Sequence, residues 1–129
     1  MGRVLIADDV LDAGAFVAGH PRHDDLVTLR TRIADERALV WFRTCATFGR
    51  QKGKDFASVV AGFFGCRAAG HTYVIGPLQS GLHSLAPGES PAWSVDEGVV
   101  AGDDRAAAMS SWSAPNTITC LHGVVPEGF

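Results

Sequence analysis

Two histidines and two carboxylates lie within six residues near the N-terminus, in the segment His20–Asp25. Imidazole nitrogens and carboxylate oxygens are common protein ligands of Zn²⁺, Mn²⁺ and Fe²⁺. His20, His23 and Asp24 are therefore candidate metal ligands. The segment lacks the HExxH, HxH and CxxC spacings, and Pro21 disfavours a helix that would place both rings on one face. A polar surface turn is the alternative interpretation.

A second cluster of chemistry-bearing residues is basic and consists of Arg43, Arg50, Lys52 and Lys54. Backbone amides and cations in a glycine-containing loop can bind phosphate. The Walker pattern requires four residues between its glycines and Ser or Thr after its lysine. Here only three residues separate Gly49 from Gly53, and Asp55 follows the lysine. We therefore predict that these four basic residues contact an acidic protein partner, with a solvated loop and a phosphate or nucleic-acid contact as alternatives.

The three cysteines, Cys45, Cys66 and Cys120, are an odd number with wide spacing, which does not indicate a disulfide framework. A Cys–His enzyme could pair Cys66 or Cys120 with one of three histidines, His71, His83 or His122. No nucleophile signature surrounds these residues, so three structural thiols in a reducing compartment are the alternative. The sequence also has no cofactor fingerprint, and we expect no cofactor.

Length and composition favour one globular domain over residues 1–129. The chain is 47% hydrophobic, and its mean hydropathy is +0.12, so it can form a core. Its net charge of −3 argues against a general nucleic-acid binder. Charge is segregated, because residues 26–70 carry eight basic and three acidic side chains between two acidic segments. Neither a signal peptide nor a membrane span is apparent, so we expect cytoplasmic synthesis and no membrane association.

Residue periodicity indicates short strands with one helix. Val27, Leu29 and Ile33 alternate with polar residues, which predicts a β-hairpin with strands over 26–33 and 38–45. Between Asp55 and Gly65, apolar residues recur every three or four positions, which favours a short helix over 55–64 and leaves a strand as the alternative. The segment 86–89 carries Pro and Gly at the centre of a predicted type II turn.

The fold class that these patterns favour is mainly β, a small β-sandwich or barrel with one short helix at about residues 55–64. No βαβα alternation is visible. We expect a non-enzymatic assembly module that forms a homo-oligomer or docks on a larger protein lattice. A virion component, such as a phage capsid-decoration or tail-associated protein, fits this description. The alternatives are a small metal-dependent or Cys–His enzyme and a β-barrel that binds a small apolar ligand.

Overall fold

The computed structural model describes residues 2–6, 9–33, 35 and 37–129, and of residues 3, 5, 6, 9, 10, 104 and 105 it describes the backbone alone. The helices in this part of the chain are a short 3₁₀ helix (Ala13–Phe16), α1 (His23–Ile33) and α2 (Arg50–Phe64). The strands are β1 (Arg3–Ile6), β2 (Asp9–Asp12), β3 (Leu39–Trp41), β4 (Arg67–His71), β5 (Leu78–Gln79), β6 (Leu82–Leu85), β7 (Val99–Val100), β8 (Asp103–Ala107) and β9 (Ile118–Thr119).

The central sheet has three strands in the order β3-β4-β6. β3 runs parallel to β4, and α2 forms the crossover that parallel neighbours require. β6 runs antiparallel to β4, with His83 opposite Gly70 and Leu85 opposite Ala68. β6 is therefore an edge strand of this sheet. The other described strands form two-stranded pairs, β1-β2, β5-β9 and β7-β8.

α2 covers one face of the central sheet with its apolar stripe. The buried residues of this stripe and their partners on the sheet are Phe56, Val60, Phe64, Ala68 and Leu85. The helix ends at Gly65, whose φ of +63° is readily adopted only by glycine and whose N–H donates to the Ala61 carbonyl. The helix predicted over 55–64 is thus confirmed, and it begins five residues earlier, at Arg50.

The opposite face of the central sheet packs against the C-terminal part of the chain. Neighbouring residues of a strand point to opposite faces, so Ala69 and Leu82 face away from α2. They form a second buried cluster with Ile118, and Trp41, Val125 and Phe129 pack against it. The sheet therefore separates a larger core beneath α2 from a smaller one beneath the C-terminal segment.

The β-hairpin predicted over 26–33 and 38–45 is wrong. Residues His23–Ile33 form α1, and β3 pairs in parallel with β4. Leu26, Leu29 and Ile33 fit a helical spacing instead, and of these three only Leu26 is buried. Asp24 and Asp25 in the first turn and arginines in the last turn favour the helix through its dipole. The Arg30 guanidinium lies over the Phe63 ring of α2, 4.6 Å from its centroid.

The fold class also requires correction. The described residues form a mixed α/β arrangement of two α-helices and several small sheets, and their strands do not close into a barrel. The β3-α2-β4 unit is a parallel connection, whereas the sequence pattern favoured a sandwich or barrel of short strands. The turn at 86–89 is present, since Glu89 N–H donates to the Ala86 carbonyl and Gly88 has a φ of +81°. None of the helices in the described chain is both long and apolar enough to cross a membrane.

Candidate functional site

His83 projects from β6 on the side of the central sheet that α2 covers. Its register partner on β4 is Gly70. A Cβ atom at Gly70 would lie 2.7 Å from a carbon of the Phe48 ring, so this glycine makes room for the ring. The missing side chain allows the aromatic ring of Phe48 to lie against the strand next to the His83 position.

An aromatic stack holds the His83 imidazole in a fixed plane. The Trp93 indole stacks with two rings, its centroid lying 5.6 Å from that of Phe48 and 4.8 Å from that of His83. The three rings are nearly parallel, with interplanar angles of 7° and 14°. The Trp93 indole N–H donates to the Phe48 carbonyl at 2.9 Å, and Lys54 Nζ donates to the Trp93 carbonyl at 2.7 Å. The indole of Trp93 is therefore hydrogen-bonded to the segment just before α2, and its backbone carbonyl is hydrogen-bonded to a lysine of α2.

Glu97 forms a hydrogen-bonded pair with His83. The Nε2 atom of His83 lies 2.6 Å from Oε1 of Glu97, and the Thr72 hydroxyl donates to the same oxygen at 2.7 Å. The exposed fractions of the two side chains are only 17% for His83 and 15% for Glu97. An ionised carboxylate can only accept hydrogen bonds, so Nε2 carries a proton. This contact defines the tautomer and orientation of the ring, as carboxylates do for catalytic and metal-bound histidines.

The electrostatic surroundings keep Glu97 ionised. Burial acts to raise its pKa, but the hydrogen bonds from His83 and Thr72 and the charge of His83 outweigh burial, so its pKa lies below the usual value. Burial and the negative charge of Glu97 raise the pKa of the neighbouring Tyr73 hydroxyl. Gly98 permits the turn that delivers Glu97, because its φ is +76° and any Cβ there would overlap the Thr72 carbonyl oxygen.

A cavity of about 870 Å³ that opens to solvent lies beside His83 and Glu97. Trp93, Leu85 and Phe129 contribute apolar wall. This volume falls within the range that small-molecule sites usually have. Among the described residues, none makes a hydrogen bond to Nδ1 of His83, and no fully buried side-chain nitrogen or oxygen lacks a partner. Nδ1 therefore keeps exposed area, on a side chain that lines the cavity.

The fully buried histidine, His71, has a structural role. Its Nε2 accepts a hydrogen bond from the Trp41 indole at 3.2 Å, and its Nδ1 donates to the Ser80 carbonyl at 3.2 Å. Burial lowers the pKa of His71 to about 4, the charges of Arg43 and His83 act in the same direction, and the bond to Ser80 opposes them. His71 is thus neutral at pH 7, with both nitrogens occupied.

The structure places the predicted metal ligands at the start of α1. Nδ1 of His20 accepts from the Arg22 amide at 3.1 Å, and Nδ1 of His23 lies 3.2 Å from the Ala15 carbonyl. Asp24 is exposed in the first turn of the helix. Within the described ranges, no three His, Cys, Asp or Glu side chains converge as a metal ion would require. The metal site at these residues stays a prediction.

The four basic residues predicted to bind a partner make separate contacts. Arg43 stacks 4.2 Å from the centroid of a Trp41 ring and donates to Gln79 and to the Cys120 carbonyl. Arg50 donates to the Ala106 carbonyl. Lys54 holds the tryptophan of the aromatic stack, whereas Lys52 is exposed on α2. Their role in partner binding stays a prediction, and their contacts do not show a single shared surface.

The cysteines do not form hydrogen bonds with the histidines in the described part of the chain. Cys66 is buried in the core beneath α2, where burial raises the pKa of its thiol. Cys45 is exposed and approaches the Ile75 carbonyl, while the backbone of exposed Cys120 bonds to Pro77. His122 bonds to the Thr119 hydroxyl at 3.0 Å.

The sequence indicates His83 only as a partner for a cysteine, and it does not mark Glu97 or Trp93 as site residues. The signal that could have identified them is weak, namely one acid and one tryptophan within fourteen residues of a histidine. The structure, by contrast, brings all three together. No protein-family model, curated protein or solved structure matches this chain.

Proposed function

We propose that the cavity beside β6 is a substrate-binding site in which His83 transfers a proton to or from the bound molecule. The observation that carries this proposal is the His83–Glu97 pair at the cavity wall, with Nε2 held by the carboxylate and Nδ1 without a hydrogen-bond partner in the described structure. Histidine is the most frequent general acid or base in enzymes. A carboxylate that orients the ring and stabilises its charged form is its usual partner.

The surroundings of the pair support an acid–base role over a purely structural one. His71 shows what a structural histidine looks like in this fold, since it is fully buried and both of its nitrogens are bonded. His83 differs because one nitrogen remains available beside a cavity. The stacked Trp93 indole restricts ring rotation and provides a flat apolar wall for a bound molecule.

Hydrolysis of 4-nitrophenyl acetate tests whether Nδ1 of His83 is available, because a free imidazole nitrogen attacks the ester carbonyl, 4-nitrophenolate leaves, and water then hydrolyses the acetyl-imidazole. With the exposed thiols removed from every protein compared by Cys45→Ser and Cys120→Ser, we expect the initial rate to fall about tenfold in His83→Ala, which is modest because the ester is not a positioned substrate. His122→Ala serves as the matched control, since it removes an exposed histidine distant in sequence. Equal rates for the wild-type protein and His83→Ala would contradict the proposal.

Ligand binding is tested separately by screening small aromatic fragments with ¹H–¹⁵N NMR. The Trp93 indole signal, assigned by comparison with Trp93→Phe, is the reporter of the cavity. We expect some fragments to shift this signal in the wild-type protein and to bind more weakly to Ala92→Phe, which adds bulk at an exposed position of the cavity wall. If no fragment shifts the signal at millimolar concentration, the cavity is not a ligand site.

A second candidate function is assembly, either as a homo-oligomer or by docking on a larger lattice such as a phage capsid or tail. The observation that favours assembly is the exposure of four large apolar side chains. Their exposed fractions lie between 70% and 89%, and the residues are Met109, Trp112, Leu121 and Val124. Exposed apolar side chains are typical of interaction surfaces where they form a contiguous patch. Light scattering of the wild-type protein and of the double variant Leu121→Ser, Val124→Ser tests it. An oligomer that dissociates in the variant supports assembly, and a wild-type monomer contradicts self-assembly.

A further inference from the structure

We infer that the free edge of β6 binds an extended peptide as an added strand, with peptide side chains entering the cavity. This inference rests on the proposed function of the cavity and names the chemical class of its ligand. It is carried by the backbone hydrogen-bonding groups of β6, which point alternately toward β4 and away from it.

The hydrogen-bond ladder shows which groups of β6 face away from β4. Thr72 N–H donates to the Gly81 carbonyl at 3.1 Å, so this antiparallel pair is a hydrogen-bonded one. Hydrogen-bonded and non-hydrogen-bonded pairs alternate along an antiparallel ladder. The His71–Leu82 and Ala69–Ser84 pairs are therefore non-hydrogen-bonded. Consequently the N–H and C=O groups of Leu82 and Ser84 point to the outer edge of the sheet.

The outward-pointing backbone N–H and C=O groups on both sides of Ser84 form hydrogen bonds within the protein. Leu82 N–H donates to the Asn116 carbonyl at 3.3 Å, and the Leu82 carbonyl accepts from Asn116 Nδ2 at 2.9 Å. Beyond the strand, Ala86 N–H donates to Glu89 Oε2 at 2.9 Å, and its carbonyl accepts from the Glu89 amide. The backbone N–H and C=O of Ser84 make no hydrogen bond to any residue in the described structure. One donor and one acceptor thus remain open, and Ser84 lines the cavity.

An adjacent donor and acceptor on a strand edge are complementary to the C=O and N–H of one residue in an extended peptide. The peptide residue next to the paired one would lie opposite His83, on the face where the Trp93 indole is stacked. A second copy of this chain fits the edge less well. In that copy, Asn116 and Glu89 would form the same hydrogen bonds on either side of Ser84. Two copies could therefore pair only through the backbone of Ser84.

Two substitutions at Ser84 separate the backbone donor from the side chain. Ser84→Pro removes the N–H, and because this group points away from β4, the sheet keeps its own hydrogen bonds. Proline also restricts the preceding residue to extended conformations, which His83 already has in β6. Ser84→Ala is the matched control, since it removes only the hydroxyl that donates to the Phe129 carbonyl and accepts from Arg67.

The test begins with phage-displayed random octapeptides selected on the wild-type protein, followed by fluorescence anisotropy with the best synthetic peptide. We expect Ser84→Ala to bind within about threefold of wild type and Ser84→Pro to bind about tenfold more weakly or worse, because a peptide carbonyl loses its donor. Failure to select any peptide, or equal affinity of Ser84→Pro and wild type, would overturn the inference.

Two further measurements make the result decisive. If Ser84→Pro does not fold, the wild-type protein is used with a peptide N-methylated at each position in turn. Loss of affinity at one position together with a downfield shift of the Ser84 amide proton supports strand addition, and tolerance of methylation at every position overturns it. The proposed acid–base role is judged independently by ester hydrolysis in His83→Ala. Failure of peptide binding with intact His83-dependent hydrolysis would refute only the peptide inference.

Discussion

Lowering the pH from about 7 to about 4 places a proton on a histidine that the fold keeps neutral. His71 is fully buried, and its two nitrogens are bonded to Trp41 and Ser80. Burial, together with the charges of Arg43 and His83, lowers its pKa from 6.5 to about 4. The unfolded chain therefore binds this proton more readily than the native protein does. It follows that His71 contributes its full stabilisation above pH 6.5 and loses it as the pH falls toward 4.

The size of this loss follows from the two pKa values of His71. A shift from 6.5 to about 4 implies that the free energy of unfolding falls by about 2 kcal/mol between pH 7 and pH 5, and by about 3 kcal/mol at pH 4. Because the free energy of unfolding of native proteins is only about 5–15 kcal/mol, a change of this size is easy to measure.

Urea unfolding followed by tryptophan fluorescence at several pH values measures this loss. Carboxylates also titrate in this range, so the pH dependence of His71→Asn is subtracted as the control. We expect the wild-type protein to be the more stable one at pH 7, and the gap between the two proteins to narrow by about 3 kcal/mol at pH 4. A gap that stays constant with pH, or an NMR titration in which the His71 ring gains its proton near pH 6.5, would refute this account of the buried ring.

Three further predictions concern stability. Glu97→Gln removes a charge from two short hydrogen bonds, so we expect a loss of about 1–2 kcal/mol in urea unfolding at pH 7. Because the pKa of Glu97 is lowered in the fold, that loss should shrink as the pH falls through the folded value, and Glu127→Gln, an exposed residue of the same cavity, should show little loss. Gly98→Ala should cost clearly more than Gly102→Ala, since both glycines have positive φ but only the first would meet a backbone carbonyl. We expect Gly102→Ala to lower the free energy of unfolding by about 1–2 kcal/mol, because only the positive φ opposes an alanine there. Equal losses in the two variants would contradict the predicted overlap at Gly98. Phe56→Ala should lower the unfolding free energy by about 3–5 kcal/mol, because this ring is fully buried beneath α2; a loss below about 1 kcal/mol would show that the core tolerates the cavity.

The helix prediction for 55–64 succeeded because its signal is local. Apolar residues at helical spacing and a glycine at the end describe one side of α2 without reference to the rest of the chain. The turn at 86–89 succeeded for the same reason, since its proline and glycine restrict the backbone directly. Both features depend on residues within a few positions of one another.

The predicted hairpin failed because the pattern around residues 26–33 fits two periods. Val27, Leu29 and Ile33 alternate along a strand, while Leu26, Leu29 and Ile33 also share one side of a helix. What decided between them is contact with α2, where Arg30 covers the Phe63 ring. Propensity is a weak prior that tertiary context overrides, and the parallel pairing of β3 with β4 likewise required α2 to be placed first.

By itself, the sequence determined the existence of a core-forming chain, the amphipathic helix α2 and the glycine- and proline-marked turns. Only the tertiary structure decided the candidate site. His83 and Glu97 lie fourteen residues apart, and no local pattern indicates that they pair at 2.6 Å. Their meeting depends on Gly70, which leaves space for Phe48, and on Gly98, which lets the chain turn tightly against Thr72. Chemistry at such a site arises from long-range packing, which local periodicity in a sequence does not encode.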